Sequence, residues 1–548
     1  MVDEAMQDFY DRHPTAEKMT EEEFKQNSDE MKAAANENLL KELRGRVFGY
    51  ISSRQEEHAT EEIVSWIEYE NHIYTTRDDI KSEIWMYDDG IYKPNGESYI
   101  KEVVRKVLSH FYTPQRANKV VAKIEADTMI DTDKFFNQNY IDEMPVQNGI
   151  LNIKTRELNE FNPEKIFFNK LPLTYNPEAT CEVIQKFFSD VLKEEDDINV
   201  AFELFGYSLL KDHMIEKAFM FVGNGRNGKG KFISLLKTFL GAENCCSVPL
   251  NQLRSDSTGV CELFGKLANL AGDLNNTALK ETGLFKEITG RDMVGAKRKY
   301  LRDLFFVNYS KQIFACNELP RVYDFSAGFW SRWVLLEFPY QFIDKKEYDV
   351  LEDKGNMRIR DTEIINKLTT TEQLSGLLNA ALDGLDRVRK QKDISNSKGT
   401  AETKNFWIRN SDSFSAFCLD MIEEDYEGYV SRKEVRSTFN KYCKAHKIKG
   451  ASDKGMKIVL EDMFGAIEGR KWDGTTQEYV WEGIKFKDNY EISQISGRFQ
   501  KPLGIAISRV LSKSTVNTTN FSKEELKKAG YTQEEYNSLL NKDNKYEK

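Results

Sequence analysis

No apolar run in the 548-residue chain approaches the roughly 18 residues that a membrane-spanning helix needs. No membrane partner is expected. The acidic start, MVDEAMQDFYDRHPTAEK, has no apolar stretch of the secretory kind, so a cytoplasmic location is expected. Cysteine is sparse. The seven present, at 181, 245, 246, 261, 316, 418 and 443, form no C-x-x-C pair. That argues against a disulfide framework and a structural zinc site, and for a reducing compartment. Positive charge is in deficit: 78 Lys and Arg stand against 89 Asp and Glu, a net charge of −11. Any nucleic-acid binding must therefore come from local basic patches. What is present is core-forming material, with 40% apolar and 12% aromatic residues. That excludes wholesale disorder and suits several domains of roughly 150 residues each.

The expected fold class is multidomain α/β: a P-loop NTPase core with a parallel sheet, an α+β N-terminal region and a C-terminal winged-helix-like module. Residues 1–59 read as an acidic helical arm, since the first fifty hold twelve acids against seven Lys and Arg. A solvated terminus is the alternative. Residues 60–215 mix strand-like runs with amphipathic helices and read as one α+β domain. In residues 216–345 apolar runs (AFMFVG, KLANLAGD, KQIFACN, WVLLEFP) alternate with helical segments, the pattern of a parallel sheet. Residues 346–404 read as a helical connection. Residues 405–487 read as a compact module. Within it, 431–487 carries thirteen Lys and Arg against eight acids, a local excess of 13 − 8 = 5. Residues 488–548 read as a polar helical tail.

The sharpest motif is AFMFVGNGRNGKGKF. An apolar strand runs into Gly223-Asn224-Gly225-Arg226-Asn227-Gly228-Lys229-Gly230-Lys231, and an amphipathic helix follows. This is G-x-x-x-x-G-K in the strand–loop–helix context that a phosphate loop requires. Glycines let backbone N–H groups curl around phosphate oxygens, and the helix N-terminus adds positive charge. Lys229 would reach the β and γ phosphates, so ATP is the expected ligand. Gly230 stands where a Mg²⁺-binding Ser or Thr is usual. Mg²⁺ is still expected, with more water in its shell.

Three further signals follow. Asp273 ends an apolar strand in KLANLAGDLNN, where a carboxylate would hold Mg²⁺ through water; the alternative is a helix N-cap. Asn317 ends another strand in IFACNELP and could orient a water, or form an Asx turn before Pro320. Arg332 lies between tryptophans in GFWSRWVLLEFP. It could reach a γ-phosphate in a neighbouring subunit, or pair with a local acid such as Asp324. Lys297, Arg298, Lys299, Tyr300 and Arg302 form a basic run with an aromatic at its centre, suited to a single-stranded backbone or to plain solvation.

The order of these elements, with FKEITGRDMVGAKRKY between the acid and the asparagine, resembles a superfamily 3 AAA+ helicase. It is most similar to the branch of phage, plasmid and poxvirus-type primase-helicases. Upstream, NGILNIKTRELNEFNPEKIFFNKLPLTYNPEATC and FELFGYSLL resemble the helical domain preceding that core. The resemblance implies Lys229 as the phosphate lysine, Asp273 as the Walker B acid and metal ligand, Asn317 as sensor 1 and Arg332 as an arginine finger acting in trans. It implies Lys297 to Arg302 as a DNA-binding hairpin, and Lys217 as a weaker second cation. Two positions depart from the family pattern: Ser331 replaces a first arginine, and Asp273 has no adjacent acid. The implied protein is a homohexameric, ATP-dependent replicative helicase moving 3′ to 5′ on single-stranded DNA. The C-terminal module, by its length and element order, would bind duplex DNA or be a protein-interaction domain with a solvated basic face, and separate primase or replication proteins would be partners. The first sixty residues hold no D-x-D and no Cys/His set, so primase activity is not expected in this chain. The rival classes are a replication initiator or structural ring with a weak ATPase, and an ATP-driven protein remodeller.

Overall fold

The computed structural model describes residues 21–77, 82–136, 140–253, 258–272, 279, 282–297, 304–395, 398–446, 448, 450–472 and 476–487, with the backbone alone for 21–36, 258 and 304. Asp273, Arg298, Lys299, Tyr300, Arg302 and the expected tail at 488–548 lie outside the described residues.

The first unit packs helices α1 (Glu21–Ser52), α2 (Glu56–Glu70), α3 (Gly96–Leu108) and α4 (Pro114–Asp127) beside a small sheet. Its strands are β1 (Ile73–Thr76), β2 (Glu83–Asp88), β3 (Ile91–Lys93) and β4 (Met129–Ile130), in the order β3-β2-β1-β4. Helix α3 shows why it forms: Ile100, Val103, Val104, Val107 and Leu108 recur at helical spacing and are all buried. Thr113 caps α4 by accepting from the Arg116 N–H at 3.2 Å, with Pro114 opening the helix. Leu43 and Val47 of α1 are buried in the same core as Ile63 and Ile100. The expected boundary at residue 59/60 therefore runs through a core, and the second half of the arm is part of this unit.

A second stretch holds β5 (Glu143–Val146), β6 (Gly149–Asn152) and β7 (Leu158–Asn159), then α5 (Glu182–Val191) and α6 (Glu195–Tyr207). It leads into the central sheet: β8 (Ala218–Val222), α7 (Lys229–Leu240), β9 (Cys245–Cys246), β10 (Ala268–Ala271), α8 (Gly283–Thr289), β11 (Met293–Ala296), β12 (Leu304–Val307), β13 (Lys311–Cys316), α9 (Ala327–Trp330) and β14 (Trp333–Glu337). Five of these strands form a parallel sheet in the order β14-β8-β13-β10-β9. Strands β8 and β13 are almost wholly buried, as a parallel sheet covered on both faces demands.

Alternate strand residues feed two cores. Phe219, Phe221, Ile313 and Val334 join α5, α6 and α7 on one face. Met220, Phe314, Trp333 and Leu335 face α8 and α9 on the other. The first core also takes Met144, Leu171 and Phe188, so it crosses the expected 215/216 boundary.

The segment expected to be a connection supplies α10 (Thr371–Gln391), whose Leu377, Leu378, Leu382 and Leu385 lie in that same core. Its fit to α6 is close. A Cβ on Gly206 would sit 2.0 Å from the Ala381 carbonyl oxygen, and one on Gly384 would sit 2.7 Å from that of Phe202. Next comes α11 (Thr400–Ser411), whose Trp407 is buried in the second core against Trp330 and Trp333.

The last module has its own core, which starts at Phe414 rather than at residue 405. It runs α12 (Ser413–Met421), β17 (Ile422–Ser431), α13 (Arg432–His446), α14 (Asp453–Phe464), β18 (Ile467–Trp472) and β19 (Gln477–Phe486). Between α9 and this module two short strands, β15 (Gln341–Ile343) and β16 (Met357–Ile359), pair in parallel. The order of the three-stranded C-terminal sheet is β17-β19-β18.

Candidate functional site

Strand β8 ends at Val222 and α7 begins at Lys229, so the glycine-rich segment forms the loop between them. It leaves the carboxyl edge of the parallel sheet beside β13 and β14. The chain runs from β8 to the far edge at β9 and returns through β10 and β13 to add β14 on the other side of β8, so the loop lies at the carboxyl ends of the central strands, where open α/β sheets hold ligands. Gly225, Arg226 and Gly228 have φ of 81°, 50° and 92°, the left-handed turns that curl the loop. A Cβ at Gly228 would lie 2.6 Å from Val191 Cγ1 of α5, so only glycine fits. Buried Asn227 pins the loop: its Nδ2 donates to the Phe338 carbonyl at 3.3 Å, and its Oδ1 accepts from the Lys229 N–H at 3.4 Å. The Arg226 carbonyl accepts from the Phe342 N–H at 2.7 Å. Asn224, Arg226, Gly230 and Lys231 are exposed around this frame.

Lys229 is buried at the first position of α7, and its ammonium donates to the Gly223 carbonyl and to Asn317 Oδ1 at 3.2 Å. Asn317 lies one residue past β13. Two residues proposed for the same chemistry, 88 apart in sequence, thus touch. Asp273 lies outside the described residues. The strand leading toward it, β10, pairs with β13 through Ala271 and Phe314. The loop fits a polyphosphate in its own geometry: left-handed glycines, no room for a Cβ at Gly228, and a buried cation at a helix N-terminus. Among the described residues no group of three or more His, Cys, Asp or Glu is placed to hold a metal. None of their helices is long and apolar enough to cross a membrane.

A cavity of about 460 Å³ opens on the α5 side of the loop, and the motifs gave no sign of it. Phe187, Phe342 and Ile364 line it with Lys186, Arg226 and Lys231. Its walls come from three separated parts of the chain, so no local pattern could reveal it.

Arg332 is largely buried. Its Nη2 meets Glu216 Oε2 at 2.6 Å, its Nε donates to Thr289 Oγ1 at 3.0 Å, and its Nη1 donates to the Gly328 carbonyl. The local acid is therefore Glu216, not Asp324. Asp324 instead takes Lys286 at 2.7 Å and the Ser326 N–H at 2.9 Å. Burial would raise its pKa, but hydrogen bonds from Lys286, Ser326 and Thr282 outweigh that and hold the carboxyl at about 2. Lys217 is also engaged within the chain, with the Ser331 carbonyl at 3.0 Å and Asp393 at 3.1 Å.

Strands β11 and β12 pair antiparallel, Met293 opposite Val307 and Ala296 opposite Leu304. Lys297 is exposed one residue past β11; the rest of the basic run lies outside the described residues. Met293, Phe305 and Val307 are exposed on the hairpin. In the C-terminal module, Arg470 lies 4.8 Å from the Tyr479 ring centroid and Arg432 5.6 Å from that of Trp481, with Trp472 exposed nearby. Cations and aromatics thus share one strip of its sheet.

Two family models match the chain. One, described as D5 N terminal like, covers residues 4–193. The other, a family of unknown function (DUF5906), covers residues 221–332, which hold the loop, Asn317 and Arg332. A protein of Acanthamoeba polyphaga mimivirus named as a helicase (L207/L206) is 30% identical over 138 residues. That match takes in 24% of this chain and 14% of the relative, so the chain spans a small part of the curated relative's length. Among solved structures, the apo C-terminal region of NrS-1 (305–718) aligns over 76% of this chain and 98% of its own at 12% identity, with a TM-score of 0.40. The N-terminal match and the viral relative named as a helicase each cover a limited part of this chain.

Proposed function

We propose that the chain is the ATP-hydrolysing subunit of a replicative DNA helicase of the superfamily 3 AAA+ type, working as a homo-oligomeric ring on single-stranded DNA. The observation that carries this reading is the meeting of Lys229 and Asn317 at the mouth of a strained, glycine-rich loop on a five-stranded parallel sheet. In this reading the loop N–H groups and Lys229 hold the β and γ phosphates of ATP. The nucleoside lies in the cavity walled by Phe187, Phe342 and Ile364, with Lys186 and Lys231 at its rim. The Asn317 amide orients the attacking water. Arg332 of one copy meets the γ-phosphate bound to the next. Mg²⁺, held through water by Asp273, would neutralise phosphate charge. Little covalent work falls to the protein, so positioning and charge stabilisation carry the rate.

The β11–β12 hairpin, with Lys297, Arg298, Lys299, Tyr300 and Arg302 lying between its two strands in the sequence, would hold the single strand. The C-terminal module follows the helix–strand–helix–helix–strand–strand order of a winged helix and would bind duplex DNA. The test is ATP turnover with Mg²⁺, with and without single-stranded DNA. Lys229→Ala and Asn317→Ala should each lower turnover by about 100-fold or more while the proteins stay folded. Turnover that survives Lys229→Ala would exclude this site.

A further inference from the structure

One short segment, residues 212–217, enters β8 and so leads directly to the phosphate loop. It also grips the surroundings of Arg332 and both roots of the hairpin. Asp212 takes Arg291, two residues before β11, in a two-point contact at 2.9 and 2.5 Å. His213 Nε2 lies 3.4 Å from Asn308 Nδ2, one residue after β12, and that amide also donates to the Ile288 carbonyl at 2.6 Å. Glu216 holds Arg332, Lys217 donates to the Ser331 carbonyl, and the Ala218 N–H donates to the Arg332 carbonyl at 2.7 Å. The other side of Arg332 rests on Thr289, the last residue of α8, four residues before β11 begins.

The segment is firmly seated. Buried Lys311 donates to the carbonyls of Leu210 and Asp212 at 2.7 and 3.1 Å, and its ammonium lies 4.5 Å from the Tyr207 ring centroid. Glu216 is different. Its side chain is 55% exposed while that of Arg332 is 14% exposed, so the carboxylate can leave for water at little cost.

We propose that Glu216 is a positioning residue that holds Arg332 in reserve, and that segment 212–217 couples the state of Arg332 to the hairpin. This rests on the reading that Arg332 serves a nucleotide on a neighbouring copy. A triphosphate from that copy competes with Glu216 for the guanidinium. When Arg332 turns to it, the contacts to Glu216, Thr289 and the Gly328 carbonyl are given up together, and the end of α8 is released. The Asp212–Arg291 and His213–Asn308 contacts then set how the hairpin roots follow.

The test uses the full chain and two readouts, nucleotide turnover and sedimentation with a non-hydrolysable ATP analogue. Glu216→Gln should shift analogue-dependent assembly to several-fold lower protein concentration and raise DNA-free turnover several-fold. Both effects should vanish in Glu216→Gln/Arg332→Ala. Asp212→Asn should leave DNA-free turnover unchanged and cut stimulation by single-stranded DNA several-fold. Should Glu216→Gln fold poorly, Thr289→Val removes a second of the three contacts of Arg332 and should shift assembly the same way. Assembly of Glu216→Gln at the wild-type concentration, or a shift that persists without Arg332, overturns the proposal. A wild type with no turnover would instead sink the ATPase reading, while sedimentation still reads the Glu216 contact.

Discussion

At the scale of single residues, the candidate site is a set of charges and turns whose values the surrounding fold fixes. Asp197, buried near the start of α6, shows how strongly. Burial pushes its carboxyl up to about 6; Lys398 pulls it back, and Glu337, Glu194 and Asp196 push it further up. An acid whose pKa is raised on folding contributes stability below its unfolded value, near 4, and loses it as pH rises through the folded value. Asp197→Asn is thus expected to stabilise the protein at pH 8 by roughly 3 kcal/mol, with the gain shrinking between pH 6 and 4. Thermal midpoints of the two proteins across that range check it. The place of Lys229 and the loop glycines between a strand and a helix was legible in the sequence because the motif has a fixed local spacing; the contact of Lys229 with Asn317, 88 residues away, was not. Glu216 was not legible, because its contact with Arg332 spans 116 positions and nothing local marks it. Reading Asp324 as the partner failed for the same reason: proximity in sequence is no guide where α8 supplies a closer lysine.

At the scale of elements, the alternation of apolar strands with helices was enough to foresee the parallel sheet, since strands buried on both faces must be apolar throughout. The boundaries were less legible. Charged, helical stretches such as 21–52 and 371–391 look like arms and connections until their buried stripes meet a partner, and sequence does not show the partner. Helix α10 is the clearest case, with Gly384 set against the Phe202 carbonyl. Gly384→Ala should cost roughly 1–3 kcal/mol by overpacking, seen as a thermal midpoint several degrees lower, although alanine is the better helix former. The C-terminal module, by contrast, closes its own core from Phe414 onward. A chain ending at residue 411 keeps Trp407 in the sheet's second core. It is expected to retain nucleotide turnover and lose duplex DNA binding, which a fluorescence anisotropy titration would report. Loss of turnover would mean the module is part of the ATPase.

At the scale of the whole molecule, an acidic protein with a net charge of −11 that works on DNA as proposed must bind it through local basic patches. The candidates in this proposal are the basic run that starts at Lys297 and the cation–aromatic strip of β18 and β19. Affinity for single-stranded DNA should fall steeply between about 50 and 200 mM salt, and replacing Lys297 and Arg298 by Ala should flatten that slope. The central claim is that one active site is built by two copies of the chain. The measurement that tests it most directly is ATP turnover by Lys229→Ala, by Arg332→Ala and by an equimolar mixture of the two, with single-stranded DNA present. Each variant alone is predicted to be inactive. The mixture is predicted to regain turnover, because intact Lys229 on one copy can then meet intact Arg332 on the next. A mixture as inactive as its parts, or an Arg332→Ala protein as active as wild type, would contradict the account.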